Sequence, residues 1–188
     1  MNKYSKIFKT TPLTLNSLNT NMYSTVKRDP VGEGQESCWS YPRPPLLEKV
    51  NKQVKIVFNG VTIADTKNAY CVKETSHPPV YYISPSDLKM EHIKRDTSKS
   101  SFCEWKGRCS YWNVEVAGKR ADGIGFSYDD PTKNFEPIKG YLSFYAGPMD
   151  GCYVDGEKVT PQPGNFYSGW ITKNVVGPFK GSPGTMFW

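Results

Sequence analysis

The feature that most constrains this sequence is the dipeptide Asn59-Gly60, which separates two apolar runs rich in β-branched residues, Val54–Phe58 and residues 61–64. Asn-Gly adopts positive φ angles at low cost and favours the type I′ turn, whose twist matches that of two paired strands. Two such runs joined by Asn-Gly are the strongest short-range signal of a β-hairpin. The chain is therefore expected to fold around antiparallel strands.

Short strands separated by turn residues continue along the chain. Gly (16) and Pro (15) are frequent but follow no period, as expected of many tight turns. A single short helix is predicted at residues 85–93, with Ser84 as N-cap and Pro85 in the first turn. Further strands are predicted at residues 70–74, 80–83, 102–106, 109–117, 141–145, 153–154 and 158–159, with another running from Gly118 toward Tyr128. This pattern predicts a mostly β fold, an antiparallel roll, barrel or sandwich.

The positive charge is concentrated at the start of the chain. The net charge is +6, but five of the 24 Lys and Arg residues precede Asp29, the first acid, which leaves 19 basic against 18 acidic residues. We expect residues 1–30 to form a flexible basic tail, with a mitochondrial presequence as an open alternative, and residues 31–188 to form a single domain. Because the domain is nearly neutral, no nucleic-acid partner is expected.

The five cysteines bear on compartment and metal. Their number is odd and no pair has the CxxC spacing of a zinc site. We therefore predict reduced thiols, no metal site, and an intracellular protein of the cytoplasm or the mitochondrion that is not secreted. No run approaches the roughly 20 apolar residues that span a bilayer, so no membrane partner is expected.

The segment 161–188 combines many glycines and prolines with six large aromatic residues. The glycines and prolines exclude long regular structure, while the aromatic side chains are costly to leave in water. We therefore predict a long ordered C-terminal loop that packs on the domain.

Several motifs then occur in a consistent order. NGVTIADT, ETSHPPVYYISPSDL, CEWKG, PQPGNFYSGWIT and GPFKGSPGT together resemble domain-of-unknown-function family 427, over roughly residues 36–188. The resemblance implies an antiparallel β-roll similar to the β-tent of methionine sulfoxide reductase B and the cereblon ligand-binding domain, without their zinc cysteines. The residues it carries over are Glu74, Tyr82, Asp87, Cys103, Lys106, Gly107, Tyr111, Tyr128 and Trp170.

The family is also described as nucleotidyltransferase-like. That chemistry normally needs closely spaced carboxylates that hold Mg²⁺ between triphosphate oxygens. Here Asp129-Asp130 precedes a proline in a predicted turn, and Asp155 and Glu157 flank a hairpin glycine. No Walker-type loop is present. The sequence therefore indicates no cofactor and leaves open whether the protein is an enzyme.

One cluster of motif residues could carry chemistry. Lys106 could lower the pKa of Cys103 and create a thiolate nucleophile, if a bulge or turn brings the two together, with Glu74 as acid or base. We expect Glu74 and Lys106 to lie within reach of each other at the mouth of a pocket. The predicted ligand-binding walls are Tyr82, Trp105, Tyr111, Tyr128 and Trp170.

Several interpretations of these residues stay open. The pocket could bind or convert a small polar molecule, or the same residues could be plain core. A non-catalytic homodimeric interaction module is the alternative from another functional class, since aromatic residues of the last segment could form its surface. His77 and His92 are both expected to be exposed.

Overall fold

The computed structural model describes residues 26–188, and the mostly β prediction is confirmed. None of the described residues forms an α-helix; short 3₁₀ helices cover Cys38–Ser40, Pro85–Asp87, Met90–His92 and Lys133–Ile138. The strands are β1 (Glu36–Ser37), β2 (Leu46–Val50), β3 (Val54–Phe58), β4 (Val61–Thr66), β5 (Ala69–Lys73), β6 (Val80–Ile83), β7 (Ile93–Cys103), β8 (Gly107–Val116), β9 (Lys119–Tyr128), β10 (Leu142–Phe144), β11 (Gly151–Val154), β12 (Glu157–Lys158), β13 (Thr160–Pro161), β14 (Trp170–Ile171) and β15 (Val175–Val176).

Two antiparallel sheets form the body of the protein. The larger sheet has seven strands in the order β2-β5-β6-β10-β9-β8-β7, and the smaller has four in the order β12-β11-β3-β4. The larger sheet does not close into a barrel. Two small pairs complete the topology, β13 with β14 and, in parallel, β1 with β15.

The main core lies between these two sheets. It contains fully buried side chains of both, such as Ile56 and Phe58 from the smaller sheet and Ile83, Val114 and Phe144 from the larger. Each such side chain contributes about 1.5–3 kcal/mol when it leaves water. A second, more aromatic cluster lies on the opposite face of the larger sheet, beneath the 3₁₀ helix at Lys133–Ile138.

The hairpin signals act as predicted. Asn59 and Gly60 both have positive φ, 47° and 76°, and they join β3 to β4. The same geometry recurs at Asp155 and Gly156, with φ of 49° and 81°, between β11 and β12. Asn and Asp tolerate the left-handed region better than most residues, so the turn chemistry alone locates these two hairpins.

The predicted helix at residues 85–93 is instead two 3₁₀ turns. Ser84 caps the first turn as expected, since its side chain accepts a hydrogen bond from the Ser86 N–H. Leu88, however, is extended and forms a β-bridge with Ala64. This pairing with the smaller sheet stops the helix after one turn and holds the segment along the core.

The strand predicted at residues 102–106 is also placed differently. The observed strand runs from Ile93 to Cys103, and residues 104–106 form the turn into β8. Nearly every side chain of β7 is exposed, so its sequence lacks the alternation of apolar and polar residues on which strand prediction depends.

The last segment is ordered on the domain, as the sequence predicts. Trp170 N–H donates to the Pro79 carbonyl, and Lys180 N–H donates to the Ser76 carbonyl. Val175 joins Cys38, Trp39 and Tyr41 in a third small core cluster. The loop thereby covers one end of the larger sheet.

Part of the predicted tail contacts this third cluster. Residues 1–25 lie outside the described residues. Val26 packs against the cluster, the Arg28 guanidinium lies 5.7 Å from the centre of the Trp39 ring, and the Asp29 N–H donates to the Gly177 carbonyl over 3.1 Å. Residues 26–29 therefore contribute contacts to the domain.

In the part of the chain that the structure describes, no helix has the length and the apolar character needed to cross a membrane.

These contacts predict where the chain can be shortened. Removing residues 1–30 should lower the melting temperature by about 2–6 °C relative to removing residues 1–25, because only the longer deletion removes Val26 and Arg28 from Trp39 and the Asp29 hydrogen bond. Thermal unfolding followed by circular dichroism measures the difference. A full-length chain with Val26→Ser and Arg28→Ser is the matched control, and equal melting temperatures for the two deletions would refute the prediction.

Candidate functional site

The alternation of β-strands gives the larger sheet two different faces. Ser101, Cys109 and Tyr128 lie directly opposite one another on β7, β8 and β9, and Tyr111 lies opposite Phe126 one step along. Residues in direct register share a face, and their sequence neighbours point to the other side. A row of polar and aromatic side chains therefore crosses the outer face of the sheet, away from the main core.

This outer face is not completely filled. It carries an open cavity of about 810 Å³, a size typical of small-molecule sites. Its lining includes most of the predicted site residues, together with residues from the last segment of the chain. Those predicted from the sequence are Glu74, Tyr82, Cys103, Trp105, Lys106, Tyr111 and Tyr128. The structure thus places seven of the eight predicted site residues around one cavity, and the eighth is Trp170.

Aromatic rings form the deepest wall of the cavity. Phe126 is central, because its ring meets those of Tyr82, Tyr128 and Tyr145 edge to face at centroid distances of 6.0, 6.4 and 5.7 Å. Edge-to-face contacts of this kind stabilise a fixed ring arrangement by about 0.5–1.5 kcal/mol each. The wall is therefore pre-organised, with ring faces and edges left toward the open space.

Lys106 is the most deeply placed charge of the cavity. Its side chain belongs to the turn between β7 and β8, it is only 7% exposed, and its ammonium lies 5.5 Å from the Tyr128 ring centre and 5.6 Å from that of Phe135. Gly107 follows with φ of 94°, a value that suits glycine and permits the sharp return into β8. The turn thus brings Lys106 and Cys103 to the same cavity.

Glu74 pairs with a residue that the sequence analysis did not select. Its carboxylate lies 3.3 Å from the Arg43 Nε, and Arg43 also donates to the Thr75 carbonyl. Glu74 and Lys106 line the same cavity but form no ion pair with each other. The carboxylate of Glu74 is therefore paired with a guanidinium from a segment distant in sequence and not with Lys106.

The two thiols of the cavity differ in environment. Cys103 is half-buried at the end of β7, whereas Cys109 is buried on β8. Burial raises the pKa of the Cys109 thiol, against hydrogen bonds from Ser101 and Tyr128 that lower it. Of the five cysteines, only Cys103 is not buried, so it is the thiol most open to a reagent.

Trp170 does not belong to the cavity. Its side chain is 0% exposed within the main core, where the indole Nε1 donates to the Phe144 carbonyl over 2.9 Å and the ring lies beside Tyr81. Its prediction as a ligand-binding wall is corrected, because β14 turns this side chain to the inner face of the sheet. Trp170 is a structural residue that anchors the last segment.

His77 lines the cavity and is buried, which corrects the expectation that it is exposed. Its Nδ1 lies 2.9 Å from the Thr75 carbonyl, so in the neutral ring Nδ1 carries the proton and Nε2 keeps a free lone pair. Burial lowers the pKa of His77, against an opposing effect of the Glu74 carboxylate, so the ring is neutral at pH 7.

Lys180 is a further cavity residue that the sequence analysis did not select. Its ammonium donates to the main-chain oxygen of Trp188 over 2.7 Å, and the Arg43 guanidinium donates to the same oxygen over 3.4 Å. Burial and then the neighbouring Arg43 charge lower the pKa of Lys180. No local sequence signal links residues 43, 77 and 180, because only the fold brings them together.

The lining offers few groups for a metal. Among residues 26–188, no cluster of three or more His, Cys, Asp and Glu side chains could hold a metal ion. The chemistry available in the cavity is that of a thiol, a neutral imidazole, tyrosine hydroxyls and charged side chains.

Fold and cavity together define a mostly β protein whose large antiparallel sheet has an apolar core on one face and an aromatic-lined cavity on the other. The chain belongs to the family described as a domain of unknown function, DUF427, whose model matches residues 46–155, more than half of the sequence. The family resemblance is thereby confirmed over residues 46–155, which contain the first three motifs, while the relation to β-tent folds stays a prediction. No curated protein matches the sequence.

The ion pairing predicts which charges are energetically coupled. In double-mutant cycles, Arg43→Gln with Glu74→Gln should give a coupling energy of about 1 kcal/mol, and Lys106→Met with Glu74→Gln less than about half of that. Lys106→Met alone should not destabilise the fold, because no carboxylate loses its partner. Urea unfolding measures the free energies. Stronger coupling of Glu74 to Lys106 than to Arg43 would contradict the observed pairing.

The burial of the five cysteine thiols predicts the order in which they are alkylated. Iodoacetamide at pH 8 should modify Cys103 first in the folded protein. Burial raises the pKa of Cys38 and of Cys71 to about 12, so about one molecule in ten thousand carries either thiolate at that pH. Peptide mass spectrometry against time measures each site, with urea-unfolded protein as the control. Modification of Cys71 as fast as Cys103 in folded protein would show the order to be wrong.

Proposed function

We propose that the protein binds a small polar molecule with a planar apolar part in the cavity on the outer face of its larger sheet. The observation that carries this proposal is the cavity itself, since an otherwise packed aromatic face leaves about 810 Å³ open beside converging polar groups. Apolar walls with a few placed polar groups are the usual form of ligand sites.

Different lining residues would serve different parts of a ligand. The rings of Tyr82, Phe126 and Tyr128 offer a surface for stacking or edge contacts. The Arg43–Glu74 pair would orient polar groups at the mouth, and Lys106 and Cys103 would meet the ligand further in. Tyr111 and Trp105 complete the predicted contacts.

Conversion of the bound molecule is a second step of the same proposal. Cys103 would be the nucleophile, Lys106 the nearby cation and Glu74 the acid or base. Each of these residues would contact the ligand, so binding can be tested before any reaction is assigned.

The test combines native mass spectrometry of the purified protein with ligand-observed NMR of a library of small ring compounds. Val80, a half-buried lining residue on β6, provides a blocking variant, because Val80→Trp would fill the cavity. Val176→Trp is the matched control, since Val176 is a half-buried strand residue that does not line the cavity. We expect ring compounds to bind the wild type and the control but not Val80→Trp. Binding that survives in Val80→Trp, or no binding at all, would refute the proposal.

A homodimeric interaction module is the second candidate. Three exposed phenylalanines, Phe102, Phe166 and Phe187, all line the same cavity and are 70–78% exposed. Exposed apolar groups that cluster in this way commonly mark an interaction surface. The same native mass spectra distinguish this case: a dimer that persists in Val80→Trp and dissociates in Phe166→Ser would favour it.

A further inference from the structure

Lys106 is held in place by the backbone around it. The Thr132 N–H donates to the Lys106 carbonyl over 3.3 Å, and the Thr132 hydroxyl donates to the Trp105 carbonyl over 2.6 Å. Two hydrogen bonds from Thr132 therefore hold the turn from which the lysine side chain extends.

The Lys106 ammonium has no acidic partner. Within residues 26–188 it makes no ion pair and no side-chain hydrogen bond, although only 7% of the residue is exposed. The Tyr128 and Phe135 rings compensate in part through cation–π contacts. A lysine buried to this extent ordinarily has a carboxylate beside it. The remaining open side of the ammonium is the cavity.

A second donor lies on the same wall. Tyr82 is only 1% exposed, and its hydroxyl makes no hydrogen bond to any described residue. The Tyr82 ring is 6.4 Å from that of Tyr128, the ring beside which the Lys106 ammonium lies. Tyr82 and Lys106 both line the cavity, so an acceptor placed there could take a hydrogen bond from the hydroxyl and from the ammonium.

We infer that the ligand of this cavity is an anion, a planar ring that bears a carboxylate or phosphate group, whose oxygens accept from the Lys106 ammonium and the Tyr82 hydroxyl. The ring would lie against Phe126 and Tyr128. This inference names the ligand class for the site of the proposed function and rests on it.

The charge of the lining agrees with an anion. Among the lining side chains, the cations are Arg43, Lys106 and Lys180 and the carboxylates are Glu74 and Glu104, so these side chains carry one positive charge in excess. Arg43 is paired with Glu74, and Lys180 donates to Trp188, so the unused charge is that of Lys106. An oxyanion on the ligand would accept a charge-assisted hydrogen bond from the Lys106 ammonium, which is stronger than a hydrogen bond between neutral groups.

Three probes of nearly equal shape test the charge class: benzoate, benzamide and benzamidine. Phenyl phosphate is added to separate a phosphate from a carboxylate. NMR titration of the ¹⁵N-labelled full chain at constant ionic strength gives each Kd. Benzoate or phenyl phosphate should bind the wild type at least about tenfold more tightly than benzamide, and benzamidine should bind most weakly.

The variants assign this preference to residues. Lys106→Met should reduce the anion-to-amide ratio of Kd values to less than about threefold, while Lys106→Arg, which keeps the charge, should retain most of it. Tyr82→Phe should weaken anion binding several-fold and leave benzamide binding unchanged. Lys133→Met removes an exposed lysine outside the lining and is the matched control. Thermal unfolding of each variant establishes that it is folded.

The outcomes separate this inference from the proposed function. If benzamide or benzamidine binds as tightly as the anions, or if Lys106→Met keeps the preference, the anion class is wrong and the cavity still binds ring compounds. If none of the four probes binds, the inference fails, and the broader library screen with Val80→Trp then decides the proposed function separately. Loss of the preference in Lys133→Met as well would also overturn the role of Lys106, because it would indicate a general charge effect.

Discussion

The strict alternation of side chains along the central strands of the larger sheet is the constraint on which both halves of this protein depend. On β6, Tyr81 and Ile83 point into the main core, while Tyr82 between them points to the cavity. A slip of one residue would exchange the two faces and lose core and cavity together. The register of β6 is secured from outside the sheet as well, since Trp170 donates to Pro79 and to Phe144 from the inner side.

The elements that could be predicted from the sequence are those that a few neighbouring residues determine. The hairpins at Asn59-Gly60 and Asp155-Gly156 depend on two residues each, and both lie where they are predicted. Of the nine residues carried over from the family, six line the cavity, namely Glu74, Tyr82, Cys103, Lys106, Tyr111 and Tyr128, although the motifs say nothing of their geometry. The motif CEWKG is predicted to be a strand, but it contains the turn that follows β7. The strand itself is exposed along most of its length, so its sequence has no apolar alternation from which its true bounds could be predicted.

The partners of charged groups are the part that the sequence could not reveal. Glu74 had several cations available, and its choice of Arg43 depends on a chain segment 31 residues away that the fold brings beside it. His77 precedes two prolines in what reads as a surface turn, yet the last segment packs over it and Tyr167 meets its ring at 4.6 Å. The prediction that Trp170 lines the cavity is wrong for a different reason: an aromatic residue in a glycine-rich loop can pack on either face of a sheet, and the sequence does not indicate which.

The three cations of the cavity differ in whether the protein itself provides a partner for their charge. At its mouth, Arg43 and Lys180 share the main-chain oxygen of Trp188, so their charges are already engaged by the protein. The Lys106 ammonium, by contrast, lies beside the Tyr128 and Phe135 rings and forms no ion pair with any residue from 26 to 188. The proposed anionic ligand would therefore gain most from pairing with Lys106, whose charge the described side chains leave unpaired. If the proposal holds, charge selectivity should depend on Lys106, whereas the exposed phenylalanines Phe102, Phe166 and Phe187 would contact the part of the ligand that remains outside.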